Sequence, residues 1–86
     1  MPQPGNEGRP PHRIREIWAW VCQAPDGDEG LPAHTDPVSG LTLPLVGADP
    51  SRRDSLVQLA RIVHQASHQR MELRRFVFDS VEEVLD

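Results

Sequence analysis

The chain contains no lysine, a single cysteine, and no apolar run approaching the roughly 18 residues of a membrane-spanning helix. Cys22 on its own excludes an internal disulfide framework and fits a reducing compartment. No apolar segment after Met1 has the form of a signal-peptide core, so the expected location is cytoplasmic and no membrane is expected among the partners. All nine basic residues are arginine, which reads as GC-rich codon usage and says nothing of function. Hydrophobic residues make up 37% of the 86, below the usual globular range, so little apolar surface can be left uncovered.

Catalytic signatures are also missing. The sequence has no nucleophile elbow, phosphate loop or dinucleotide fingerprint. Cys22 sits beside apolar Trp20 and Val21, with nothing to depress its pKa, and reads as a small core residue. His64 and His68 are spaced to share a metal on one helix, but the intervening Gln65-Ala66-Ser67 lacks the glutamate of a metalloprotease motif. They read as solvated residues near a helix C-terminus, where histidine suits the helix dipole. Asp26-Gly27-Asp28-Glu29-Gly30 resembles the start of a calcium loop, yet Pro37 occupies the twelfth position, where a bidentate acid belongs. The expectation is a non-enzyme with no catalytic residue, no metal and no cofactor.

What is present is best read from the helix outward. Asp49 is an N-cap type, Pro50 suits the first helical position, and Leu56, Leu59, Ala60 and Val63 recur at helical spacing. The pattern predicts a helix from 50 to about 69. Before it, residues 1–13 have no periodicity and read as a disordered tail, leaving 14–86 as one small domain. Residues 14–22 include an unbroken apolar run ending before Pro25-Asp26-Gly27, which predicts a strand covered on both faces. The Asp-Gly pair predicts a hairpin to a second strand over 29–35, in which Pro32 implies an irregularity or an edge. A turn at 36–40 leads to a third strand over 41–46, with Leu41, Leu43 and Leu45 on one face and Pro44 arguing for an edge. A fourth strand over 71–78 needs a bulge at Arg74-Arg75 to bring Met71, Leu73, Phe76 and Phe78 to one side. Ser80 to Glu83 has capping-box spacing and predicts a short closing helical turn.

The expected class is therefore α+β, in the order β-β-β-α-β. It comprises a four-stranded, mainly antiparallel sheet of order 3-2-1-4, one long helix on one face and a short C-terminal helical turn. Strand 4 should run in the direction of strand 3 and lie beside strand 1. One helix covers one sheet face, so Ile17, Ala19 and Val21 are expected on an open apolar face fit for a partner, with homodimerisation through a face or edge as the simplest outcome.

Charge is segregated. Residues 23–49 hold five acids and no arginine, whereas 50–75 hold six arginines against two acids. The acidic hairpin tip Asp26, Asp28 and Glu29, and the arginines Arg53, Arg61, Arg74 and Arg75, are the candidate partner-binding residues. A nucleic-acid alternative draws on the same arginine-rich helix and strand, with Trp18, Trp20, Phe76 and Phe78 as a stacking platform. The net charge of −4 and the core value of those aromatics count against it.

The segments Ile17-Trp18-Ala19-Trp20-Val21, Pro25-Asp26-Gly27 with Glu29-Gly30, and Pro44-Leu45-Val46-Gly47-Ala48-Asp49 before an arginine-bearing helix resemble small uncharacterised accessory proteins of phages and high-GC bacteria. The resemblance spans 14–78 and carries no active-site residues. It implies a small accessory protein of a mobile element. The resulting expectation is a non-catalytic interaction module that occupies a surface on a bacterial complex, as an anti-CRISPR or host-takeover inhibitor does.

Overall fold

The computed structural model describes residues 11–86. Most of the expected tail, residues 1–10, lies outside the described residues; 11–15 are exposed and irregular. The elements are β1 (Glu16–Gln23), β2 (Glu29–Gly30), β3 (Ala33–Thr35), β4 (Thr42–Pro44), β5 (Val46–Gly47), α1 (Pro50–Ser67) and β6 (Arg70–Val77). This is an α+β fold with one long helix and a mainly antiparallel sheet.

β1 is central. One of its edges is taken along its whole length by antiparallel β6, from Glu16 opposite Val77 to Gln23 opposite Arg70. Its other edge is shared between β5, at Trp18 and Ala19, and β2, at Cys22 and Gln23. Strands 1, 2 and 4 thus take their expected neighbours, and strand 3 pairs in part with strand 2, but its end also pairs with β1, and strand 4 runs antiparallel to strand 1 rather than parallel to it. The predicted second and third strands are each broken, near Pro32 and at Leu45. Their middle parts pair only with each other, as the β3–β4 ribbon. The physical reason is proline and one buried leucine. Pro32 cannot donate to a ladder, and the chain bends at Leu45 so that its side chain enters the core. Leu41 and Leu43 stay exposed, so the three leucines do not share a working face. β5 then crosses to β1, and β5 and β6 run in the same direction on its two sides.

The first hairpin turn follows the expected chemistry. Gly27 has φ of 90°, which a residue with a Cβ rarely adopts, and Asp26 Oδ1 accepts from the Asp28 N–H at 3.0 Å.

The start of α1 is as predicted. The Asp49 carboxylate accepts from the Arg52 N–H at 2.8 Å, a capping contact typically worth about 1 kcal/mol, and Pro50 opens the first turn. The helix stops at Ser67 because His68 adopts a left-handed conformation with φ of 57°, its N–H donating to the His64 carbonyl. Leu56 and Ala60 are buried against Leu45, with Trp20, Leu59, Val63 and Met71 packed around them. Trp18, Trp20, Cys22, Met71 and Leu73 share this helix-facing side of the sheet.

Two further expectations fail. The β1–β6 ladder runs without a bulge through Arg74 and Arg75, so Met71 and Leu73 face the helix while Phe76 lies on the opposite face. The closing helical turn is absent: residues 78–86 are irregular and exposed. A single turn without a packing partner does not repay its nucleation cost, whatever its capping pattern.

Candidate interaction surface

The sheet face opposite α1 was expected to be open and apolar. Its centre is closed instead, with Ala19 and Val21 only 2% and 4% exposed. The register supplies the cover. Ala19 stands between Val46 and Arg74, and Val21 stands opposite Glu72. β2 adds Glu29 opposite Gln23. Over these small residues Arg74 joins two carboxylates, Nη1 to Glu29 Oε1 and Nε to Glu72 Oε2, both at 2.9 Å. Arg70 approaches Glu72 Oε1 through Nε at 3.1 Å and Nη2 at 3.0 Å, and Gln23 donates to Glu29 Oε2 at 2.8 Å. The arginine stems lie along the apolar strand and their heads reach acid partners, which small apolar residues with long charged neighbours permit.

This arrangement shows in the proton affinities. Hydrogen bonding to Arg74, then to Gln23, holds the Glu29 carboxyl down at about 2. Glu72 is lowered by Arg74 and then Arg70, and Arg74 is raised by its two acids, Glu29 first. A depressed acid stabilises the fold fully above its unfolded value, near 4.5, and that contribution is lost as pH falls toward about 2. The acid limb of the stability profile should therefore include a component between those values that Glu29→Gln removes. Urea midpoints measured across that window check this. An unchanged limb in the variant would show that Glu29 does not contribute there.

The remaining candidates separate. Asp26 and Asp28 sit in the exposed turn. Arg53 was expected to be available to a partner; it instead lies over the Trp18 ring, 5.1 Å from the centroid, with its Nε on Asp54 Oδ1 at 3.0 Å. Arg75 Nη1 meets Glu16 Oε2 at 3.0 Å, across the ladder on the helix side. Arg61 is exposed on α1, at the rim of a cleft of about 250 Å³ lined by Trp20, Val57, Ala60, His64 and Met71. The Trp20 Nε1–H is buried without a partner among the described residues. The candidates thus form no single site: Glu29 and Arg74 are brought together, and the others are dispersed.

The histidine pair is also separated. His64 Nδ1–H donates to the Gln69 carbonyl at 2.8 Å, and His68 is already past the helix in its left-handed cap. Among the described residues no group of three or more His, Cys, Asp or Glu side chains could hold a metal ion. Cys22 is a half-buried free thiol whose Sγ lies 3.4 Å from the Gly30 carbonyl.

Exposed apolar residues lie elsewhere: Leu31, Val38, Leu41 and Leu43 around the β3–β4 ribbon, Ile62 on α1, and a group where the β1–β6 pair runs out. The Phe78 N–H donates to the Arg15 carbonyl at 2.7 Å, extending the ladder by one pair. There Ile14, Ile17, Phe76, Val77 and Phe78 line a shallow depression with Arg15 and Glu16, and Val81 continues it beside Ile14 and Phe78, with Arg13 at its side. Phe78 and Ile14 are each 61% exposed. Beyond them come Asp79, Glu82, Glu83 and Asp86. Bringing Met71, Leu73, Phe76 and Phe78 to one side of the fourth strand counts Phe78 with the core and leaves Ile14 without a role. The alternating faces of Leu73 and Phe76 were the signal that both sides of β6 are used. The same alternation separates the aromatics. Trp18 and Trp20 lie on the helix side and Phe76 on the other, so they form no common stacking platform.

No helix among the described residues is long and apolar enough to cross a membrane. Compared with known proteins, the chain matches no family model, no curated protein and no solved structure.

Proposed function

We propose that this chain is a small, non-enzymatic protein-interaction module that docks a protein partner through the apolar end of the β1–β6 pair. The observation that carries the reading is the exposure of Ile14, Phe76, Val77 and Phe78 around one end of the strand pair, where they line a common depression. Aromatic residues in such a patch supply most of the binding free energy when a partner excludes water from them. Arg13, Arg15 and Glu16 line the same depressions, so the patch has a border charged with both signs, which favours a partner with a polar rim. A mobile-element inhibitor that covers a surface on a bacterial complex is one form of this reading.

A photoreactive phenylalanine analogue at position 78, compared with one at exposed Gln65 on α1, tests it in bacterial lysate. Position 78 should give a discrete adduct that excess unlabelled chain abolishes and a Phe76→Ser competitor does not. Equal, diffuse labelling from both positions, or none from 78, would remove the proposal.

A further inference from the structure

We propose that two copies of this chain join edge to edge through β6, antiparallel about a two-fold axis at Leu73, so that one sheet runs through both.

β6 pairs with β1 only, and its other edge carries no strand among the described residues. Because the Phe78 N–H points to Arg15, main-chain groups of the even-numbered residues face β1 and those of Met71, Leu73, Arg75 and Val77 face outward. None of these outward N–H or C=O groups has a hydrogen-bond partner among the described residues. The strand is eight residues long, with no proline, glycine or bulge to blunt it. Such an edge is a template for another strand.

Symmetry and charge then select the partner. A two-fold axis normal to the sheet leaves each face on its own side and pairs the outward residues with one another. Centred on Glu72, the pairing sets Glu72 against its own copy and Arg70 against Arg74 of the second copy. Centred on Arg74, it sets two Arg74 side chains together. Centred on Leu73, it sets Glu72 against Arg74 of the second copy, twice by symmetry, with Leu73 against Leu73 and Arg70 against Phe76. These Glu–Arg pairs fall at the closely spaced, non-hydrogen-bonded positions, where side chains interact best. They would also continue the Arg70–Glu72–Arg74–Glu29 series already formed in one chain. Charges of one sign along an edge repel a second copy; charges alternating at every second residue fit it. A second copy of β6 is therefore the occupant that this edge matches. The proposal does not depend on the apolar strand end or its partner.

Light scattering and sedimentation of the intact chain test it through charge reversal. The chain should dimerise reversibly. Glu72→Arg and Arg74→Glu should each weaken self-association on the order of a hundredfold, because like charges then oppose each other at both symmetric positions. Mixed together, the two variants restore both opposite-charge contacts and should form a heterodimer. A wild-type chain that stays monomeric at its highest soluble concentration overturns the proposal. So does a dimer that both reversals leave intact, or a mixture that stays monomeric while each variant is folded by circular dichroism. Hydrogen exchange on the wild type needs no variant. The amides of Met71, Leu73 and Arg75 should lose protection on dilution while those of Glu72 and Arg74 keep it. Concentration-independent exchange at all five would also overturn it.

Discussion

Leu56→Ala is expected to lower the unfolding free energy by about 3 kcal/mol, the middle of the range for emptying a fully buried leucine site. Leu56 has no exposed surface and touches the only sizeable apolar cluster among the described residues, with Leu45 and Ala60. A domain of this length is typically stable by roughly 4–13 kcal/mol, so the substitution removes a large share. The half-buried neighbours Trp20, Leu59, Val63 and Met71 already reach solvent and gain little by collapsing inward. No second cluster compensates, since Ala19 and Val21 are small and lie across the sheet. The melting temperature should fall by about 15 °C, with tryptophan fluorescence reporting the transition because Trp20 packs against the same cluster. A loss under about 1 kcal/mol would mean that the cluster is looser than its burial implies.

Gly47→Ala is expected to cost about 2 kcal/mol, although it adds one methyl group. A Cβ at Gly47 would stand 2.8 Å from Arg52 Cγ, 3.0 Å from the Arg53 main-chain nitrogen and 3.1 Å from Arg52 Cβ. The Arg52 stem can swing aside, but the Arg53 nitrogen belongs to the first turn of α1 and donates to the Asp49 carbonyl at 3.0 Å. Gly47 is also held on its other side by pairing with Trp18. The strand must therefore shift against β1, or the helix must lift from the sheet. Gly30→Ala is the control, because its Cβ would meet only Cys22 Sγ at 3.9 Å, an ordinary contact. Urea unfolding of the two variants should separate them clearly. Equal midpoints would show that α1 tolerates displacement at its start.

The parts of this fold legible in the sequence are those governed by local rules. Asp49-Pro50 and the Leu56, Leu59, Ala60 and Val63 stripe specify α1 within a couple of residues, because capping and helical spacing act over single turns. The apolar run around Trp18 to Cys22 marks β1 as central, because no other segment tolerates cover on both sides. The Asp26-Gly27 turn follows from backbone freedom alone.

The parts that were not legible depend on distant partners. Glu29 and Arg74 read in the sequence as separate contacts for a partner. They satisfy each other only because β2 and β6 both engage β1, a fact of register absent from either segment's composition. The same register turned the expected open face into a covered one, since the small size of Ala19 and Val21 matters only beside the long stems of Arg74 and Glu72. The expected bulge brings Phe76 and Phe78 to the side of Met71 and Leu73; the ladder runs without it, and the exposed apolar end is where those phenylalanines are found. Ser80 to Glu83 match a helix-start pattern, but Val81, Val84 and Leu85 stay largely exposed, so no buried contact holds one.

The central position of β1 also sets the order in which the chain can fold. Its β2 edge closes through a short turn, a local event on a microsecond scale. Its β6 edge must wait for a strand that arrives only after residues 24–69, and the full eight-residue ladder forms across that distance. Closing so long a loop before its contacts reward it makes this the slow step expected of non-local pairing. Until it closes, the apolar edge of β1 stands unpaired, so crowding at high expression threatens this protein most in the interval before its last strand docks.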